Sequence, residues 1–276
     1  MRRHLCTISV LVAALGISGC GSHRPETATA ARGAPDGAPI YEANLTVQQD
    51  EGHGPEACVI STMSLPPGCG GLPIVGWDWD AVDGEETYGP ATWGSFHVTG
   101  TYTDGALTLT EPAGPPRGDD GAAVPPLPPA CDNPEVVDPT QDVVQWGTVD
   151  ISGPDLVSTW VNDRPPGVTD GPFTANVVVL PGAGPAVHDR IRQTYAGGLC
   201  VVERQAHTLD ELTRVQNEAF DADAVAHFGT PLSGGVITAL NAVRVEVWVA
   251  DQPALDYAQQ RWGDRVVLEG VLEPVG

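Results

Sequence analysis

Five carboxylates fall within nine residues in Asp78-Trp79-Asp80-Ala81-Val82-Asp83-Gly84-Glu85-Glu86, the densest acidic run in the chain. Calcium takes six to eight oxygen ligands, so Asp78, Asp80, Asp83 and Glu85 are the residues that could hold it on one loop. Against the loop of helix-loop-helix calcium proteins the third acid comes one position late, and Gly89 stands where the closing glutamate belongs. A solvated loop is the plainer expectation, and calcium is the only cofactor the chain suggests. Trp77, Trp79 and Trp93 lie beside this run. Aromatic faces next to carboxylates can hold sugars, but in a chain with 6% aromatics the expected role is core packing.

Other chemistry is limited by what is missing. Gly-x-Ser-x-Gly and Ser-x-x-Lys are absent, and no two histidines are spaced as His-x-x-x-His or His-Glu-x-x-His. His53, His97, His188, His207 and His227 are therefore expected at the surface or as satisfied core residues. All 13 basic residues are arginine, which removes Schiff bases, Ser-Lys dyads and the P-loop. Gly182-Ala183-Gly184 follows an apolar run as a dinucleotide-binding turn would. Pro185 follows it, however, and Val187 occupies a position that needs Gly or Ala, so a flexible β-to-α turn is expected.

The N-terminus supplies an address. Met1, Arg2, Arg3 and His4 precede an apolar stretch from Leu5 to Ile17 and then small residues, the layout of a signal peptide over 1–19. The stretch is far shorter than the roughly 20 residues that span a bilayer. Ile17-Ser18-Gly19-Cys20 resembles the lipobox of bacterial lipoproteins, which implies cleavage before Cys20 and acylation of that residue, palmitate included. More than one acyl chain makes anchoring stable, so the expected location is the extracytoplasmic face of the cell membrane. Residues 20–39 are Ala, Gly, Pro, Thr and Ser with few large apolar side chains, and read as a disordered tether reaching about 25 Å.

That compartment bears on the cysteines. Beyond Cys6 and Cys20 four remain, and outside a reducing cytosol an even number favours disulfides. Cys58 with Cys69 would close a Pro-Pro-Gly turn in a loop worth roughly 3 kcal/mol. Cys131 with Cys200 would tie the middle segment to the C-terminal half. No C-x-x-C pair is present to favour zinc. Net charge is −23; without Arg2 and Arg3, 11 basic residues remain against 36 acidic ones, which gives −25. So acidic a surface repels phosphate backbones, and nucleic acid is not an expected partner.

The elements that must position these residues change character along the chain. Hydrophobic residues at 41% support a core. Over 40–111 the period is two: Phe96, Val98, Gly100 and Tyr102 alternate with His97, Thr99 and Thr101, Thr103-Asp104-Gly105 turns, and Leu107 and Leu109 alternate back. With strands over Ala43–Val47, Ala57–Ser61 and Leu72–Trp77, this predicts a small mostly-β domain, a barrel or OB-like fold. Residues 112–139 are a Pro/Gly-rich linker or a long excursion pinned by Cys131. Over 140–276 strand and helix alternate. Val177–Leu180 and Leu199–Val202 read as strands, with Val187, Ile191 and Tyr195 on a helix between them. Thr208-Leu209-Asp210-Glu211 has the form of a capping box, opening a helix with Leu212, Val215 and Ala219 inward. A strand carries Val243, Val245, Val247 and Val249, and a helix capped by Asp251 turns Leu255, Ala258 and Trp262 inward before a last strand, Val266–Leu272. The fold class is α+β, the second domain an α+β sandwich, ferredoxin-like in outline.

Cys58, Cys69-Gly70-Gly71, Gly76-Trp77-Asp78-Trp79, Thr92-Trp93-Gly94, the Val98-to-Tyr102 hairpin and the late Val-rich strand with its short helix together resemble uncharacterised actinobacterial secreted proteins and lipoproteins. That resemblance implies no activity and no catalytic residue. The expected function is a binding or scaffolding module of the cell envelope, held on the membrane by its lipid and meeting an envelope protein or glycan. The rival expectation is a calcium-dependent or carboxylate-based hydrolase of envelope glycan, which needs two acids facing each other across a groove.

Overall fold

In the computed structural model, which describes residues 37–58, 64–118, 126–140, 146–162 and 173–275, the period-two half closes into a barrel. The signal peptide, Cys20 and residues 21–36 of the tether lie outside the described residues. Strand β1 (Ile40–Gln49) turns Ala43, Leu45 and Val47 inward, β2 (Glu56–Cys58) turns in Ala57, and β3 (Gly71–Val75) turns in Leu72 and Ile74. After the short β4 (Glu86–Tyr88), the long β5 (Ala91–Thr103) contributes Phe96 and Val98, and β6 (Ala106–Leu109) contributes Leu107. The order β1-β2-β3-β6-β5 closes on itself because β5 pairs antiparallel with β1, from Ile40↔Thr101 to Gln49↔Thr92. Only β3 and β6 run parallel among these five strands.

Two local choices make the closure feasible. Asp104 and Gly105 both have positive φ, 51° and 73°, the two-residue turn whose twist matches a hairpin. At Gly100 a Cβ would sit 2.3 Å from the Thr108 carbonyl oxygen, so β5 and β6 approach this closely only without a side chain there. Edge-to-face packing of Trp77, Trp79 and Phe96, at centroid distances of 5.0–5.9 Å, fills one part of the barrel interior.

The outer face of β5 is covered as well. His97 (7% exposed), Thr99 and Thr101 point away from the core and are nevertheless buried. His97 and Gly114 exchange backbone hydrogen bonds of 2.8 and 3.0 Å. The Asn44 amide donates to the Arg117 carbonyl (2.7 Å) and accepts the Arg117 N–H (3.0 Å), fastening the segment after β6 across the sheet.

The second half uses one arrangement twice. Strands β7 (Leu156–Asn162) and β8 (Thr174–Val179) are antiparallel, helix α1 (Gly184–Arg192) follows, and β9 (Gly198–Glu203) returns parallel to β8. Helices α2 (Leu209–Ala219) and α3 (Ala222–Phe228) intervene. Then β10 (Ser233–Ile237) and β11 (Ala242–Val247) are antiparallel, α4 (Gln252–Trp262) follows, and β12 (Val266–Gly270) returns parallel to β11. Each three-stranded sheet has its own apolar cluster, with Val177, Val179, Ile191 and Tyr195 in the first and Val243, Val245, Ala258 and Trp262 in the second. The protein is thus α+β with a mostly-β N-terminal region.

Ala254, Ala258 and Trp262 are the inward residues of α4, whereas Leu255 is 37% exposed. The expected inward Leu255 is corrected to Ala254, because the four-residue spacing that ends on Trp262 passes through 258 and 254, and 255 lies a further 100° round the helix. Described residues all belong to one compact unit, Gly33–Gly276. The chain's end ties back to its start: Leu272 packs in the barrel cluster, and β13 (Glu273–Pro274) pairs with Tyr41 and Glu42 of β1.

The proline-rich stretch is lashed to the first sheet. Asn176 of β8 is fully buried; its carbonyl oxygen accepts the Ala130 N–H (2.8 Å), and its amide donates to Asn162 Oδ1 (2.7 Å) and to the Thr174 carbonyl (3.1 Å). Trp160 and Asn162 donate to the carbonyls of Pro128 and Leu127. Cys131 is bonded to Cys200 of β9 and Glu135 bridges Leu199, so residues 127–135 run against this sheet.

Candidate functional site

The acidic run is spread out. Asp78 caps a short 3-10 turn, Trp79–Ala81, by accepting the Asp80 N–H at 3.0 Å, and Asp80, Asp83 and Glu85 are exposed. Among the described residues no three His, Cys, Asp or Glu side chains converge closely enough to hold a metal ion. Trp79 donates its indole N–H to Gln49 Oε1 (2.8 Å), and Trp77 packs against both Trp79 and Phe96. Cys58 and Cys69 are bonded, with Cα atoms 4.9 Å apart, and Cys131 and Cys200 are bonded at 6.0 Å. Cys20 lies outside the described residues.

Every described histidine has a carboxylate beside it. His53 is 2.8 Å from Asp50, His188 2.9 Å from Glu135, His207 3.2 Å from Asp264, and His227 4.0 Å from Asp223. His97 Nε2 is 3.3 Å from Glu42, off the direction of a hydrogen bond, while its Nδ1 faces Asn44 Oδ1 at 3.2 Å. These are contacts between an imidazole and a carboxylate, and none brings a nucleophile with it.

A broader crevice than the hollows of about 320 Å3 beside Asp78 and beside His97 lies where the barrel meets the end of the second β-β-α-β unit. Tyr41 extends the inward row of β1 by one step, and Tyr102 does the same for β5. Tyr41 pairs with Gly100, which has no side chain, so both tyrosines end up at the same mouth of the barrel. Facing them are Trp248 and Val249, just past β11, and Leu272, just past β12. These are the carboxyl ends of two parallel strands beside the start of α4, the usual place for a ligand crevice in parallel sheets.

The crevice has two lobes. One, of about 490 Å3, is lined by Tyr41, Tyr102, Trp248, His227, Phe228 and Thr230 together with the backbone of Gly71, Gly105 and Gly229. The other, also about 490 Å3, is lined by Pro39, Val249, Ala250, Leu255, Leu272 and Pro274. Tyr41, Val249 and Asp251 border both. Each lobe falls within the range of small-molecule sites. The charged residues lining them are acidic, Asp251 and Glu273. Asp251 already caps α4 by accepting the Ala254 N–H at 3.0 Å.

A polar network fixes the aromatic wall. His227 stacks on Tyr257 with ring centroids 3.9 Å apart and 19° between planes. The Tyr257 hydroxyl donates to Asp223 (2.8 Å) and accepts from Arg261 (2.7 Å), which also pairs with Asp223 and Asp221. Donation from Tyr257 lowers the Asp223 carboxyl below its ordinary range, and burial followed by that same bond raises Tyr257. Ala183, at the N-cap of α1, offers no capping side chain; Glu203 supplies the acceptor instead, taking the Gly184 N–H at 2.8 Å.

Sequence reasoning missed the crevice, whose walls come from residues near positions 41, 102, 228, 248 and 272 that no local pattern links. The usable signal was small: Tyr41 and Tyr102 continue inward alternations past the last aliphatic residue, and Trp248 interrupts a run of valines. Comparisons with protein-family models, with curated proteins and with solved structures return no match.

Proposed function

We propose that the protein is an extracytoplasmic, lipid-anchored binding module of the cell envelope, and that its ligand enters the two-lobed crevice between the barrel mouth and the carboxyl ends of β11 and β12. The observation that carries this reading is the crevice itself: aromatic and apolar side chains around an open space, with His227 held in the wall by its stacking on Tyr257. Two disulfides fit an oxidising compartment. The strand order β1-β2-β3-β6-β5 with one parallel pair supports an OB-like reading of the barrel, a fold that binds extended ligands. The two β-α-β crossovers are what a ferredoxin-like outline of the second half rests on.

The address is tested by Cys20→Ala. The wild-type chain is expected in the detergent phase of a Triton X-114 partition and to incorporate a palmitate analogue. The variant is expected in the aqueous phase, unlabelled; a variant that stayed membrane-bound would overturn the anchor. The crevice is tested by photo-crosslinkers at exposed Gln252 and, as a control, at exposed Arg204, just past β9 of the first three-stranded sheet. Envelope material is expected on the first and not on the second, and equal labelling would overturn the site.

A further inference from the structure

Resting on that crevice, we infer that the ligand is an amphiphile with a hydroxyl-rich head free of negative charge and a single alkyl chain, the head in the aromatic lobe and the chain in the apolar one. The two lobes differ in chemistry and share a border. Tyr41, Tyr102, Trp248 and His227 give the first lobe π faces with polar edges, and Thr230 adds a hydroxyl. Pro39, Val249, Ala250 and Leu255 give the second an aliphatic lining. A purely polar ligand would leave the second lobe wet, and a hydrocarbon would bury the tyrosine hydroxyls and the Thr230 hydroxyl unsatisfied.

Charge selects the head group. Asp251 and Glu273 line the crevice without an arginine, and the chain has no lysine. A phosphate or sulfate would meet two carboxylates there and neither an arginine nor a lysine, which disfavours anionic lipids. Pro39 and Leu255 line the apolar lobe, and Ile40, Leu255 and Val275 are exposed.

The test uses the full chain carrying Cys20→Ser, purified without detergent, and calorimetric titration with methyl glucoside, octyl glucoside, decyl glucoside and decyl sulfate below their micelle concentrations. Decyl glucoside is expected to bind roughly tenfold more tightly than octyl glucoside, as two further methylenes leave water, and at least tenfold more tightly than decyl sulfate. Leu255→Asp is expected to erase the chain-length dependence while leaving thermal unfolding unchanged. Glu273→Gln is expected to narrow the gap between glucoside and sulfate. Equal affinity for the octyl and decyl forms overturns the alkyl lobe, and equal affinity for decyl glucoside and decyl sulfate overturns the head-group selection. If methyl glucoside binds without any gain from a chain, the amphiphile is wrong and the crevice stands; if no probe binds and the crosslinks at Gln252 also fail, both fall.

Discussion

Asn176 holds Ala130 by a 2.8 Å hydrogen bond from the Ala130 N–H to its side-chain carbonyl, joining the middle strand of one sheet to the proline-rich stretch 46 residues earlier in the chain. The side chain is fully buried and its partners on Ala130, Asn162 and Thr174 are half-buried, so removing it leaves groups with restricted access to water unpaired. Asn176→Ala is expected to cost about 2–3 kcal/mol in urea unfolding and to speed amide exchange at Ala130. A cost under about 0.5 kcal/mol would show that the stretch is held without this bond, by Cys131–Cys200 and the contacts of Trp160, Asn162 and Leu199.

Legibility followed the length of the pattern. Thr208 and Asp251 were readable as caps because each precedes a helix long enough to show its inward face, and both accept the third N–H as expected. The row Phe96, Val98 was readable because alternation runs from Phe96 to Tyr102. Strand β10 was not, because Gly234 and Gly235 interrupt any period, and α3, at seven residues, is too short to display one. Burial of His97, Thr99 and Thr101 was hidden by distance in sequence: what covers them is bonded through Gly114 and Arg117. The acidic run was plain to read, yet Asp78 serves as a cap.

Glu203 supplies a pH dependence. Backbone N–H groups of Gly182 and then Gly184 bond its carboxylate and lower its pKa in the folded state. The unfolded chain therefore takes up the proton first as pH falls, so the contribution is full above the ordinary carboxylate value and is lost as pH drops through the lower folded one. Glu211, bonded by Arg265, and Glu218, bonded by the Trp262 indole, act in the same direction. The wild type is expected to lose stability steeply below about pH 4.5, and Glu203→Gln to show a flatter profile over that window in thermal unfolding at stepped pH. Parallel profiles would mean the carboxylate does not hold the start of α1.

Tyr257 makes the opposite prediction. Its folded pKa is raised, by burial and then by the bond to Asp223. Its contribution is present below the ordinary tyrosine value and lost as pH rises through the higher folded one. Tyr257→Phe is expected to cost about 1 kcal/mol near neutral pH and to remove a late-titrating phenolate from the ultraviolet difference spectrum above about pH 10.

Ala254 and Leu255 are adjacent, yet the helix separates their fates. Ala254 is 1% exposed against the cluster of Val243, Val245 and Trp262, while Leu255 stands at the lip of the apolar lobe. A carboxylate at 254 would be buried without a cation, and one at 255 would reach water in the first turn of α4, where the helix dipole favours it. Ala254→Asp is therefore expected to cost more than about 3 kcal/mol and Leu255→Asp less than about 0.5 kcal/mol in denaturant unfolding. The pair separates stability from binding: the first variant should weaken every property of the chain, and the second should leave the fold intact while emptying the apolar lobe of its hydrocarbon. Comparable losses of stability in both would mean that α4 is rotated about its axis from the orientation described, and the apolar wall of the crevice would then be built from other residues.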